Sequence, residues 1–294
     1  MARIRAVLVG IDEYERSDIP SLRGCVNDVA LVRMLLKQYL GVPNEDIRVV
    51  VNQRATKANI LYRLGWMIEH AEPGDVAVFY FSGHGSQIRD RDGDELTDAL
   101  DELLCPYDMD WDHGTYLLDD DLDAILASLP PDILLEAFFD CCFWGAGPRE
   151  LAPEPRPQTL RTDVRYLPPP FDIAARTEGD EQRVDVHQLT GCACFTGRNV
   201  LWAASQEGQS AAEDYIEGRA NGIFTYWGCR FIAENIEQMG HLDCSRARLL
   251  DDLRGYLHSL GYAQTPELSA PDELREGTPL VYPGWGAWVE AGGH

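Results

Sequence analysis

The sequence predicts an α/β fold: a three-layer αβα sandwich around a mostly parallel sheet of about six strands. Short apolar runs recur along the chain, IRAVLVGI at 4–11, VAVFYF at 76–81 and ILLEAFF at 133–139. Such runs, bounded by turn signals, read as strands buried on both faces. Helical patterns alternate with them, which calls for crossover connections. Two of the runs end abruptly in small or reactive residues: the first of these delivers His84 and the second delivers Cys142. Ligands of open α/β sheets sit at the carboxyl ends of the strands.

Taken in order, Ile4–Ile11 is the first strand. Cys25–Leu40 is helical, with Asn27 and Asp28 near its start and Gly41 as a stop signal. Ile47–Val51 is a second strand. Thr56 is a suitable N-cap for a helix whose apolar face is Ile60, Leu61, Leu64, Met67, Ile68 and Ala71. The His-bearing strand follows. Residues 90–123 hold fourteen Asp or Glu against one basic residue, Arg91. A short helix, Asp121–Leu129, then precedes Pro130-Pro131 and the Cys-bearing strand. Residues 146–190 carry seven prolines and six arginines with little periodicity, the marks of a long loop or linker. Asn199–Ala204 is another buried strand, Gly222–Glu237 and Cys244–Leu260 are helices, and Gln264–Tyr282 supplies at most short strands. The expected organisation is one domain over 1–294: a 1–145 part with the His and Cys, the 146–190 linker, and a 191–294 part that completes the same sheet.

Composition narrows the function. With 25 basic and 49 acidic residues the net charge is −24, which argues against nucleic acid or an anionic membrane as partner. It favours cations, either metal ions or basic peptides. There is no apolar run long enough to span a bilayer, and Asp12 and Glu13 interrupt the N-terminal run. Eight cysteines without framework spacing predict a reducing, cytoplasmic setting. Cys192 and Cys194 are too isolated to read as a zinc site.

A lone cysteine is usually a small buried hydrophobe, and a lone histidine a satisfied polar residue. The joint placement of His84 and Cys142 at strand ends is what a cysteine nucleophile and its base need. Alternation puts Asp140 and Cys142 on one face and Cys141 on the other. Glycine after the histidine permits close approach of a substrate carbonyl. Sequence reveals no third residue to orient His84.

SGHG, followed some fifty residues later by an apolar strand ending in Asp-Cys-Cys, resembles the metacaspases and their bacterial relatives among the caspase-like cysteine peptidases. LRGCVND at 22–28, YFSGHGSQ at 80–87, ALDELLCPYD at 99–108, LLDDDL at 117–122 and FFDCC at 138–142 follow the family's order. LWAASQEGQSAAE at 201–213, GIFTYW at 222–227 and QTPEL at 264–268 resemble its C-terminal motifs. The resemblance implies a caspase-like sheet, Cys142 as nucleophile, His84 as base, and the N–H groups of Gly85 and Cys142 as oxyanion hole. It implies cleavage after Arg or Lys, with Asp28, Ser82 and Asp140 matching the acidic pocket that holds the basic side chain. Two carboxylates there would bind a guanidinium by charge-assisted hydrogen bonds, although helix-end compensation explains Asp28 alone and a strand-end cap explains Asp140 alone.

It also implies an activating, non-catalytic calcium ion held by Asp101, Asp119 and Asp120, with Glu150 the nearest candidate for a fourth carboxylate. The stretch from Asp90 is not an EF-hand: its sixth and twelfth positions are Glu95 and Asp101. Helix N-capping accounts for one or two of Asp119–Asp121. Phe143-Trp144-Gly145 stands where the family has His-Ser-Gly, an altered surround for the nucleophile. The expectation is a monomeric, calcium-stimulated cysteine endopeptidase acting on basic peptides or proteins. Self-cleavage is expected in the linker at Arg149, Arg161, Arg165, Arg176 or Arg183, with Arg156 disfavoured by Pro157. The alternatives are a catalytically silent caspase-like interaction module, or a peptidase of the gingipain or legumain type.

Overall fold

The computed structural model describes residues 3–89, 100–130, 132–142, 163–170, 199–206 and 209–281. β1 (Ile4–Gly10) leads to α1 (Cys25–Met34), which a π-helical turn at Leu35–Tyr39 continues, then to β2 (Ile47–Val51), α2 (Lys57–Glu69) and β3 (Val76–Ser82). A ribbon of β4 (Gly85–Arg89), β5 (Leu100–Leu104) and β6 (Leu117–Leu118) precedes α3 (Asp119–Leu126) and β7 (Leu134–Asp140). After β8 (Asp163–Val164) and β9 (Asn199–Ala203) come β10 (Ala212–Ile216), β11 (Arg219–Gly222), α4 (Ile223–Met239), α5 (Arg246–Ser259), β12 (Glu267–Ser269) and α6 (Asp272–Arg275).

Six strands form the central sheet in the order β12-β9-β7-β3-β1-β2, parallel throughout except at β12. The apolar runs dictate this, because strands covered on both faces need side chains that avoid water on both. Alternate residues serve different layers. Val7, Val9, Phe79, Phe81 and Leu135 pack in the core that includes Ile60, Leu64 and Met67 of α2 and Leu122 of α3. Ala6, Leu8, Val78 and Tyr80 face α1, α4 and α5, with Val29, Phe224, Leu250 and Leu253. Thr56 caps α2 by accepting the Asn59 N–H, and Gly41 follows the first helix at φ 66°. The short acidic helix starts two residues earlier than the sequence suggests, at Asp119.

Two antiparallel pieces have no counterpart in the sequence reading: the β4-β5-β6 ribbon and the β11-β10-β8 sheet. β8 lies inside the 146–190 stretch, so part of that stretch is an ordered strand. Among the described residues no helix is long and apolar enough to cross a membrane.

One buried ion pair ties the C-terminal part to the sheet. Glu136, in the middle of β7, and Arg246, at the start of α5, both have fully buried side chains and meet at 2.8 Å. Glu136 also accepts from Trp202 Nε1 and from the Leu280 N–H. Its removal orphans a guanidinium and two further donors. Glu136→Ala is expected to cost about 3–5 kcal/mol, read as a lowered denaturant midpoint; Glu136→Gln keeps an acceptor for Trp202 or for Leu280 but not for both, so it should be destabilising as well.

Candidate active site

β3 and β7 are neighbours in register, with Ser82 opposite Asp140. His84 and Cys142 each stand two residues beyond that pair, at the carboxyl rim. The His84 N–H donates to the Tyr14 hydroxyl (2.8 Å), and the two rings pack with centroids 5.3 Å apart. Nε2 faces the Pro20 carbonyl at 2.8 Å. A carbonyl can only accept, so Nε2 carries the proton and Nδ1 keeps its lone pair. Nδ1 is buried and has no protein hydrogen-bond partner among the described residues. Burial holds the imidazole neutral, lowering its pKa to about 4. The orienting group missing from the sequence reading is thus a backbone carbonyl, which no motif of side chains could reveal.

Cys142 Sγ accepts the Ala211 N–H (2.9 Å) and its thiol donates to the Ala211 carbonyl (3.3 Å). Burial pushes this thiol up to about 12. Cys141 belongs to the opposite core, with Phe139 and Ala137, as alternation requires.

The amides of Gly85 and Cys142 converge on one oxygen, the carbonyl of Arg165, at 3.0 and 3.3 Å. Gly85 has to be glycine: a Cβ there would lie 2.2 Å from the Cys142 carbonyl oxygen. The Arg165 side chain runs into the acidic pocket and is fully buried. Its Nη2 donates to Asp28 Oδ2 (2.7 Å), and its Nη1 donates to Ser82 Oγ (2.9 Å) and lies 2.8 Å from Asp140 Oδ1. Asp28, Ser82 and Asp140, the three residues expected to line the pocket, therefore all meet one guanidinium.

A third carboxylate, Glu213 of β10, lies 3.5 Å from Nη2 and accepts the N–H groups of Arg23 and Gly24. The sequence reading quoted Glu213 within a motif but gave it no role. The wall behind is also C-terminal. Asn221 Nδ2 and the Gly222 N–H donate to Asp28 Oδ1, and Thr225 donates to Asp140 Oδ2 from both N–H and hydroxyl. Gly222 leaves the room the ion pair occupies, since a Cβ there would meet Asp140 Oδ2 at 2.2 Å. Burial pushes the Asp140 and Glu213 carboxyls up against the pull of Arg165.

Residues around Arg165 cross the site in extended form. β8 pairs antiparallel with β10, Val164 opposite Ala212, and the Arg165 N–H donates to the Ala211 carbonyl. Beyond Arg165, the Leu167 N–H donates to the Gly85 carbonyl at 2.9 Å. Residues 163–167 thus lie against the pocket as an extended segment, with strand pairing on both sides of Arg165, its carbonyl on two amides and its side chain among carboxylates.

The expected calcium ligands are only partly described. Asp119 and Asp120 open α3. β5 pairs antiparallel with β6, Leu103 opposite Leu118, so continuing that register carries residue 101 towards residues 119 and 120. The Asp101 side chain, Glu150 and Phe143-Trp144-Gly145 lie outside what is described, as do linker arginines 149, 156, 161, 176 and 183. Among the described residues, no three His, Cys, Asp or Glu form a metal-sized cluster.

Comparison with known proteins agrees with the fold. Residues 4–147 match the metacaspase, peptidase C14 domain. Metacaspase-1 of Ajellomyces capsulatus is 29% identical over 308 residues, covering 95% of this chain and 82% of the relative. Metacaspase-1A of Aspergillus oryzae is 28% identical over 301 residues, covering 92% and 68%. Among solved structures, a protein of Geobacter sulfurreducens superposes with TM-score 0.65 at 19% identity over 95% of this chain and 99% of its own. Caspase-1 of Spodoptera frugiperda gives 0.51 at 13% identity over 92% and 86%. At these identities the structural likeness speaks for the fold.

A thiol pushed up to about 12 is almost wholly protonated at neutral pH, so alkylation of Cys142 should be slow. Its logarithmic rate, followed on the Cys142 peptide by mass spectrometry, should climb linearly from pH 7 to 9 without the levelling that an ordinary thiol of pKa about 8.5 shows. Arg165→Ala, which removes the anchor of the covering segment, should raise the rate at pH 7.5 by about tenfold or more, the equivalent of roughly 1.4 kcal/mol.

Proposed function

We propose that the chain, whose residues 4–147 match the metacaspase, peptidase C14 domain, is a cysteine peptidase of that type: an endopeptidase that cleaves after arginine and is held latent by its own residues 163–167. One observation carries the reading: Arg165 has its guanidinium among carboxylates and its carbonyl on the two amides of Gly85 and Cys142. Arginine is preferred to lysine, because the planar fork reaches Asp140 with one nitrogen and Asp28 with the other, whereas an ammonium is a single point.

In the reaction, His84 Nδ1 takes the Cys142 thiol proton and the sulfur attacks the P1 carbonyl carbon. The amides of Gly85 and Cys142 hold the oxyanion, and His84 returns the proton to the departing amine as the peptide bond breaks. Water, deprotonated by the same nitrogen, then hydrolyses the thioester. The Pro20 carbonyl keeps the imidazole in the one tautomer that can do this. The pKa values of the closed state, about 4 for His84 and about 12 for Cys142, belong to a dry site. Admitting water lessens the burial that displaces both. The enzyme acts as a monomer on basic peptides or proteins in a reducing cytoplasmic setting, where its thiols stay free.

Self-cleavage would fall at Arg165–Tyr166. In the incubated chain, N-terminal sequencing should return Tyr166-Leu167-Pro168, and Cys142→Ala should stay whole. Fluorogenic peptides should be turned over with P1 Arg ahead of Lys, and not with Asp. Efficient cleavage after Asp, or a new terminus only elsewhere in the linker, would overturn the assignment.

Calcium is proposed as an activator, bound by Asp101, Asp119 and Asp120 at the end of the β4-β5-β6 ribbon and outside the chemical steps. Carboxylates gathered about 4 Å apart repel by roughly 4 kcal/mol at an effective dielectric near 20, and a hard cation with oxygen ligands offsets this. Activity should fall in chelator and return with calcium but hardly with magnesium, and Asp119→Ala with Asp120→Ala should abolish the response. Full activity in chelator would remove calcium from the account.

A further inference from the structure

We propose that β4 is a primed-side substrate strand, and that the site takes an apolar side chain at P2′, two residues beyond the bond to be cut. The inference rests on the peptidase reading and extends it to a specificity that the acidic pocket does not set. The segment covering the site is anchored on both sides of Arg165. Past the Arg165 carbonyl, Tyr166 is half-buried and forms a parallel bridge with Gly85. Leu167 is held three ways. Its N–H donates to the Gly85 carbonyl (2.9 Å). Its carbonyl accepts from Ser86 Oγ (2.5 Å), a hydroxyl on a residue with no solvent exposure. The residue is 6% exposed and belongs to the same apolar core as Ile88, Cys105 and Cys141.

These contacts define a subsite in peptide terms. Gly85 gives its N–H to the P1 carbonyl and its carbonyl to the P2′ N–H, which is one full step of a parallel ladder. Ser86 then fixes the P2′ carbonyl. The ladder ends there in this chain, because Pro168 has no N–H to offer and is exposed. Recognition by main-chain pairing with a pocket for every second side chain is the usual way an extended peptide is read by a strand. The P2′ side chain is the one that turns into the core, so a charged residue there would be buried without a partner. The ligand class is therefore an extended peptide with arginine at P1 and an aliphatic side chain at P2′.

The test uses the full chain carrying Arg165→Ala and internally quenched peptides alike except at P2′, which is Leu, Ala or Asp. A fluorogenic substrate that ends at its P1 Arg amide serves as the internal reference. The expected kcat/KM is about tenfold or more higher for Leu than for Asp. Ser86→Ala should lower kcat/KM for the Leu peptide by a larger factor than for the reference, so that their ratio falls several-fold. Equal rates for Leu and Asp peptides, with the reference substrate turning over, overturn the subsite and leave the peptidase reading standing. An arm independent of turnover follows Cys142 alkylation in the chain with Arg165 intact. Leu167→Ala should speed it several-fold and Leu167→Met should not. That result without any peptide turnover would keep β4 as a peptide-binding strand and sink the peptidase reading. Alkylation unmoved by Leu167→Ala, its fold verified by circular dichroism, overturns the proposal.

Discussion

The guanidinium of Arg165 is the charge around which the site is arranged. A buried, unpaired cation would cost many kcal/mol, and here it is met by Asp28 from α1, Asp140 from the end of β7 and, less closely, Glu213 from β10. The dependence runs both ways. Three carboxylates in one dry pocket repel each other, and they are tolerated because a planar cation stands between them and because neutral donors, Asn221, Gly222 and Thr225, take their remaining lone pairs. Whatever removes Arg165 has to supply another cation or admit water. The machinery that would hold a substrate is thus the same machinery that keeps the site closed.

Closure also sets the protonation of the pair at the rim. Burial raises the thiol and lowers the imidazole, so both are neutral in the state described, with the sulfur held by the Ala211 backbone. A thiolate–imidazolium pair belongs to a wetter site.

The sequence was most informative where burial is strongest. Five of the six central strands are short apolar runs, and the helices that cover them show a clear 3,4 spacing or a good cap, so periodicity and turn signals found them. The polar antiparallel pieces escaped. β4, GSQIR, and β10, AEDYI, do not form continuous apolar runs, and their partners are distant or short. A cue did exist for the β10–β11 hairpin. Glu217-Gly218 forms a two-residue turn with both φ values positive, the kind of turn that a glycine in second place announces. Of the candidate site, Ser82, His84, Asp140 and Cys142 stand out as polar or reactive side chains at strand ends, and Asp28, in α1, through the family resemblance. Pro20, Ala211 and Gly222 act through backbone atoms, which leave no mark in a sequence. Arg165 was one of six linker arginines with nothing local to single it out; three-dimensional placement alone separates it.

The division of the pocket between distant parts of the chain has a consequence for the order in which the protein is made. His84, Asp28, Asp140 and Cys142 leave the ribosome well before Glu213, Asn221, Gly222 and Thr225. Until β10, β11 and the start of α4 arrive, Asp28 lacks the Asn221 and Gly222 donors, Asp140 lacks Thr225, and Ala211 is not there to pair with Arg165. A nascent chain therefore carries His84 and Cys142 for about seventy residues of elongation before the rest of the pocket is made. The acidic pocket is therefore complete only once the late, polar β10–β11 hairpin has been made.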